Sequence, residues 1–181
     1  MTTTAEKAPA RPEVKSLPFL DVPATEAQAE QLVAEFLAGT FSDLTMRVTS
    51  IAAELDRLEK RLVAVRTRRD AAAYTIETCY HARRAASLSR ALGVGRTRWK
   101  AIKDKLAANP PKPVKDAPKV LPKLAAETVL LQAQVRLLHE ERDRTLHALK
   151  ETTGISNAEA SRLIGRDPAR VSHLMKRVTT A

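Results

Sequence analysis

Two stretches of this chain carry the same residue pattern 72 or 73 positions apart, and any fold it adopts must use that pattern twice. From Arg69 the chain reads Arg-Asp, a helical stretch, then Leu88-Ser89-Arg90-Ala91-Leu92-Gly93 and Arg96-Thr97-Arg98-Trp99-Lys100-Ala101-Ile102. From Arg142 it reads Arg-Asp, a helical stretch, then Ala160-Ser161-Arg162-Leu163-Ile164-Gly165 and Pro168-Ala169-Arg170-Val171-Ser172-His173-Leu174. The offset is 73 at the Arg-Asp pair and 72 at the glycine. Repetition at a fixed period marks a repeated supersecondary unit.

The strongest periodic signal precedes each glycine. Leu44, Val48, Ile51, Leu55, Leu58, Leu62 and Val65 alternate in steps of four and three and continue through Arg69, Ala72 and Ile76. This is a two-seat heptad seam, as in a coiled coil. Leu121, Leu124, Thr128, Leu131, Val135, Leu138, Arg142, Thr145 and Leu149 repeat the register, which puts Arg69 and Arg142 in the same core seat. In a parallel, in-register homodimer of the first helix, Glu54 would face Glu59 and Arg61 would face Arg66. Both contacts repel, which biases weakly against that pairing.

The expected fold is all-α: two repeats of a long coiled-coil-like helix plus a helix-turn-helix, joined by a Pro-rich linker. The expected division is a disordered tail over 1–24, a short helix over 25–40, the first long helix and turn motif over 42–106, the linker over 107–119, and the second long helix and turn motif over 120–181. Thr25-Glu26-Ala27-Gln28 reads as a capping box, Gly39 as a helix end and Ser42 as the next cap. Prolines 110, 111, 113, 118 and 122 make the linker extended. About 14 such residues at ~3.1 Å each span roughly 43 Å. That reach would let the second long helix lie parallel to the first as an intramolecular pseudo-dimer; a homodimer is the other pairing.

Only 3% of the 181 residues are aromatic, so narrow Leu/Val/Ala seams suit this chain better than a thick core. The formal net charge is +10, and from Arg83 to Lys105 eight Lys or Arg face one acid, Asp104. Such a block points to an anionic partner. The single cysteine, Cys79, reads as a small apolar residue in a reducing compartment. No start resembling a signal peptide and no bilayer-length apolar run stand out, so a cytoplasmic, nucleoid-associated protein is expected.

Around the second glycine, Gly154 ends the long helix and Ser156-Asn157-Ala158-Glu159 forms a capping box. Gly165 supplies left-handed backbone, Asp167 caps the following helix and Pro168 takes its first position. Val171 and Leu174 return to the core, leaving Arg170, Ser172, His173, Lys176 and Arg177 outward. In the first copy Leu88, Ser89, Leu92, Gly93 and Val94 take the matching seats. Trp99 reads as a core plug with Ile102, while Arg96, Thr97, Arg98, Lys100 and Lys103 face outward. No cap residue occurs in His81-Ala82-Arg83-Arg84, so the first short helix either starts there or continues the long one.

Both segments resemble bacterial helix-turn-helix modules of the repressor and sigma-factor region 4 kind. The likeness covers about 22 residues per copy, with a serine in both copies where the family usually has alanine. It implies that the second helix of each motif reads base edges, through Arg96, Thr97 and Lys100 in one copy and Ala169, Arg170, Ser172 and His173 in the other. A non-enzymatic, sequence-preferring double-stranded DNA-binding protein is the expectation, most simply a transcriptional regulator. A nucleoid-organising or plasmid or phage segregation protein is an alternative, as is a coiled-coil adaptor that binds no DNA. No metal, cofactor or catalytic constellation is expected: the histidines are scattered, and the spacing of His139 and His147 does not suit one metal-binding face.

Overall fold

The computed structural model describes residues 13–14, 17, 20–40, 42–82, 85–169 and 171–172. Six α-helices occur among them: α1 (Val22–Ala38), α2 (Leu44–Cys79), α3 (Ala85–Ala91), α4 (Arg96–Ala108), α5 (Ala117–Thr153) and α6 (Asn157–Ile164). Two-residue strands β1 (Glu13–Val14) and β2 (His81–Ala82) pair in parallel. No helix among the described residues is long and apolar enough to cross a membrane.

The chain folds as two compact units, and α2 and α5 each contribute to both. Unit 1 holds β1, the last part of α2, β2, α3, α4 and the first part of α5. Its core contains Ala72, Ile76, Leu88, Leu92, Trp99 and Leu121, all buried. Here Thr75 Oγ1 donates to the Ala71 carbonyl and accepts the Val114 N–H at 3.0 Å, which fixes where the chain enters α5. Unit 2 holds α1, the first part of α2, the last part of α5, and α6 with residues 165–169 and 171–172. Val48, Leu146, Ala160, Ile164 and Val171 form one cluster there.

The seam positions of α2 are buried from Val48 through Ile76, as are most of those of α5; Val135 is half-buried. Arg69 and Arg142 are also buried, 6% and 5% exposed. Each donates through Nε and a terminal nitrogen to Oδ1 of the next residue, Arg69 to Asp70 at 2.9 and 2.7 Å and Arg142 to Asp143 at 2.9 and 2.6 Å. A buried guanidinium requires such a partner.

Several expectations change. In unit 2 Val48 packs in one cluster with Leu146, while Glu59, three turns further along α2, meets His139, earlier on α5. The segments of α2 and α5 in this unit therefore run antiparallel, not parallel. The cause is a short linker. Pro118 sits in the first turn of α5, where its missing N–H costs little, and Pro122 also lies inside the helix. Only residues 109–116 remain between α4 and α5, a reach of roughly 25 Å against ~54 Å for α2. Asp116 starts α5 from a left-handed backbone at φ 52°, a conformation that aspartate tolerates better than most residues.

The stretch expected to be a disordered tail contains β1, the buried Leu17 and a Leu20 that lies beside Gly93. α1 begins at Val22, not at the Thr25 capping box, because Pro23 is already set for a first helical turn. α2 is capped by Asp43, whose Oδ1 accepts the Met46 N–H at 2.8 Å, and not by Ser42. The first short helix is separate from the long one, since α2 ends at Cys79.

Candidate nucleic-acid interface

In unit 1, α3 and α4 form a helical pair around Gly93. The Leu92 N–H reaches Leu88 O at 2.9 Å, Gly93 turns left-handed at φ 64°, and the Val94 N–H returns to Ser89 O at 3.0 Å. Glycine adopts this φ without the Cβ clash that penalises other residues. Gly95 then serves as N-cap of α4 with no side-chain hydrogen bond, so the first turn of α4 carries no protein cap.

Trp99 is the anchor of α4. It is 5% exposed, and its Nε1 donates to Glu77 Oε2 at 2.9 Å. The other oxygen of Glu77 accepts from Lys103 Nζ at 2.9 Å, and this carboxylate holds the Lys103 ammonium above its ordinary value. With Trp99 turned inward, Arg96, Thr97, Arg98 and Lys100 are exposed, as are Lys105 on α4 and Arg90 on α3. The five cations among these six residues make no ion pair with a described residue. Lys103 departs from the expectation, because its charge is held by Glu77.

In unit 2 the Ser156 hydroxyl accepts the Glu159 N–H at 3.2 Å, and the Glu159 carboxylate accepts the Ser156 N–H at 2.7 Å. The Ser156 N–H, then the Ser156 hydroxyl, which also donates to this carboxylate at 2.8 Å, hold the Glu159 carboxyl below its ordinary range. Gly165 is left-handed at φ 59°, and the Arg166 N–H returns to Ser161 O at 3.1 Å. The Ser161 hydroxyl also donates to the Arg166 carbonyl, so the serine standing where the resemblance favours alanine ties the turn together. Asp167 Oδ1 accepts the Ala169 N–H at 2.8 Å, and Val171 is buried. Ala169 is exposed and Ser172 half-buried. Arg170, His173, Lys176 and Arg177 lie outside the described residues.

Two carboxylates make contacts that were not anticipated. Glu59 on α2 accepts from Arg166 at 3.3 Å through both oxygens and meets His139 Nε2 at 3.0 Å. Glu77 is the second, with its two donors in unit 1. Each carboxylate flanks the heptad seam, at a position that periodicity marks only as polar. Burial, then the nearby Arg142, push the His139 imidazole below its ordinary value, and the contact with Glu59 opposes this. An open cleft of about 490 Å³ beside these groups is lined in part by Arg142, Arg162 and Arg166. Arg142 and Arg166 are already paired with Asp143 and Glu59.

Among the described residues no group of His, Cys, Asp and Glu is placed to hold a metal ion. No family model, curated protein or solved structure matches the chain.

Proposed function

We propose that this chain is a sequence-preferring double-stranded DNA-binding protein, most simply a bacterial transcription regulator, with two helix-turn-helix modules carried on long coiled-coil-like helices. The observation that carries the reading is α4. Trp99 seats one side of it, leaving Arg96, Arg98, Lys100 and Lys105 exposed and without partners among the described residues. Cations held this way can neutralise backbone phosphates, and polar side chains in the first turns of the helix, Arg96, Thr97 and Lys100, are suited to base edges in a major groove. The uncapped start of α4 favours a nearby phosphate as well.

The likeness of the two turns supports two modules. Gly93 and Gly165, buried Ser89 and Ser161, and buried Trp99 and Val171 recur at one offset, each later in the chain than a buried arginine paired with the next aspartate. Duplex binding by the full chain, measured as salt rises, tests the reading. The expected result is a steep linear fall of log affinity with log salt. Absent or salt-independent binding contradicts it and favours an adaptor.

A further inference from the structure

The open cleft of about 490 Å³ lies wholly within unit 2. α2 supplies one wall, the end of α6 with Gly165 and Arg166 supplies the other, and Arg142 of α5 lines it between them in sequence. Its volume is that of a pocket for a small organic molecule. Part of the lining is apolar: Ala52 and Leu163 are half-buried and pack against the core cluster of this unit, and Leu55 is buried.

Three guanidiniums share the cleft, and each keeps donors in reserve. Arg142 is 5% exposed yet lines it; its Nε and Nη2 go to one oxygen of Asp143, and its Nη1 makes no hydrogen bond to a described residue. Arg166 reaches Glu59 only at 3.3 Å, longer than the ~2.8 Å of a tight guanidinium–carboxylate bond. Arg162 is exposed and makes no hydrogen bond or ion pair with a described residue. Two carboxylates also line the cleft, Asp56, which Lys60 takes at 2.6 Å, and Glu59, which meets Arg166 and His139. The lining thus carries three positive side chains and two negative ones. A surplus of one suits a monoanion, and the two carboxylates repel a polyanion. Among monoanions a carboxylate matches the forked geometry of arginine, and the apolar wall asks for a hydrocarbon body behind it.

We infer that the cleft binds a small organic monocarboxylate, with the carboxylate on Arg142, Arg162 and Arg166 and the apolar body against Ala52, Leu55 and Leu163. Gly165 and Arg166 belong to the lining, so the ligand braces the turn that follows α6. No nucleic acid takes part in this site, which stands or falls apart from the DNA-binding reading.

The test is a melting experiment on the full chain at constant ionic strength. Hexanoate and benzoate are the probes, hexanol is the neutral analogue and inorganic phosphate the plain anion. Arg162→Gln removes the partnerless guanidinium, and Ala53→Leu narrows the cleft from an exposed position of its wall. Neither change touches a buried group, so both variants melt as wild type without probe. At about 10 mM, hexanoate and benzoate are expected to raise the wild-type melting temperature by about 3 °C, while hexanol and phosphate leave it level. Arg162→Gln weakens hexanoate binding about 10-fold, and Ala53→Leu abolishes the shift. A wild-type chain that neither carboxylate stabilises overturns the site. So does an equal shift in both variants, which places the binding elsewhere. Hexanol matching hexanoate reduces the cleft to an apolar crevice, and phosphate matching it reduces the cleft to a bare anion site; either result also overturns the inference.

Discussion

In unit 1, Gly93 turns at φ 64° and the helix beyond it is anchored by a buried tryptophan and one carboxylate, Glu77. In unit 2, Gly165 turns at φ 59°, the buried Val171 follows, and the carboxylate Glu59 holds the turn itself through Arg166. The backbone solution is the same, because glycine and a small buried serine suffice for it. The disposition of charge differs. Glu77 takes one cation, Lys103, while Arg96, Arg98 and Lys100 have no partner among the described residues, whereas Glu59 takes Arg166 and also meets His139. A turn motif thus sets where a helix goes, while carboxylates on the supporting helix set which of the described cations are paired within the protein.

The largest expected effect separates the two anchors. Trp99→Ala removes a buried indole and a hydrogen bond and should cost about 3–5 kcal/mol of stability. Val171→Ala removes far less buried surface and should cost about 1–2 kcal/mol. Equal losses in denaturant unfolding would break the contrast between the two anchors.

The two glycines should show no contrast. Gly93→Ala and Gly165→Ala each place a Cβ on left-handed backbone, at about 1–2 kcal/mol. An added Cβ meets nothing closer than Leu20 Cδ2 at 3.8 Å at Gly93, and nothing within 4 Å at Gly165. The cost is therefore one of backbone conformation in both cases, and melting temperatures that fall unequally would show that the turns are not equivalent.

The smallest effect is a pH dependence confined to unit 2. His139 faces Glu59, Arg142 and Asp143, and Glu59 also binds Arg166. Folding lowers the value of His139 from an ordinary 6.5, so below that pH the unfolded chain binds the proton more readily. Stability should fall as pH drops through 6.5 and level off beneath the lowered value. His139→Gln should flatten that part of the melting-temperature profile; an unchanged slope assigns the dependence to another group.

Much of this architecture was legible in the residues. The heptad seats from Val48 to Ile76 are buried, the two arginines in the seam are buried beside their aspartates, both turn glycines are left-handed, and Trp99 is a core plug. These features follow from local rules of periodicity, steric freedom and capping. What escaped depends on residues distant in sequence. The opposed directions of α2 and α5 in unit 2 hinge on where a proline run yields to helix, and Pro118 and Pro122 are compatible with either side of that boundary. Glu59 and Glu77 lie on the polar flank of the seam, where periodicity separates no ion-pair partner from a solvated charge. The expectation of Lys103 as an outward contact missed Glu77 for that reason.

The most direct test of the central claim, that the exposed face of α4 binds duplex DNA, is a salt titration of the full chain carrying Arg96→Gln, Arg98→Gln and Lys100→Gln together. These side chains are exposed and have no partner among the described residues, so the fold should melt as in wild type. The account predicts a loss of roughly 100-fold or more in duplex affinity and a salt slope reduced by two to three. Wild-type affinity and slope in the triple variant would contradict it.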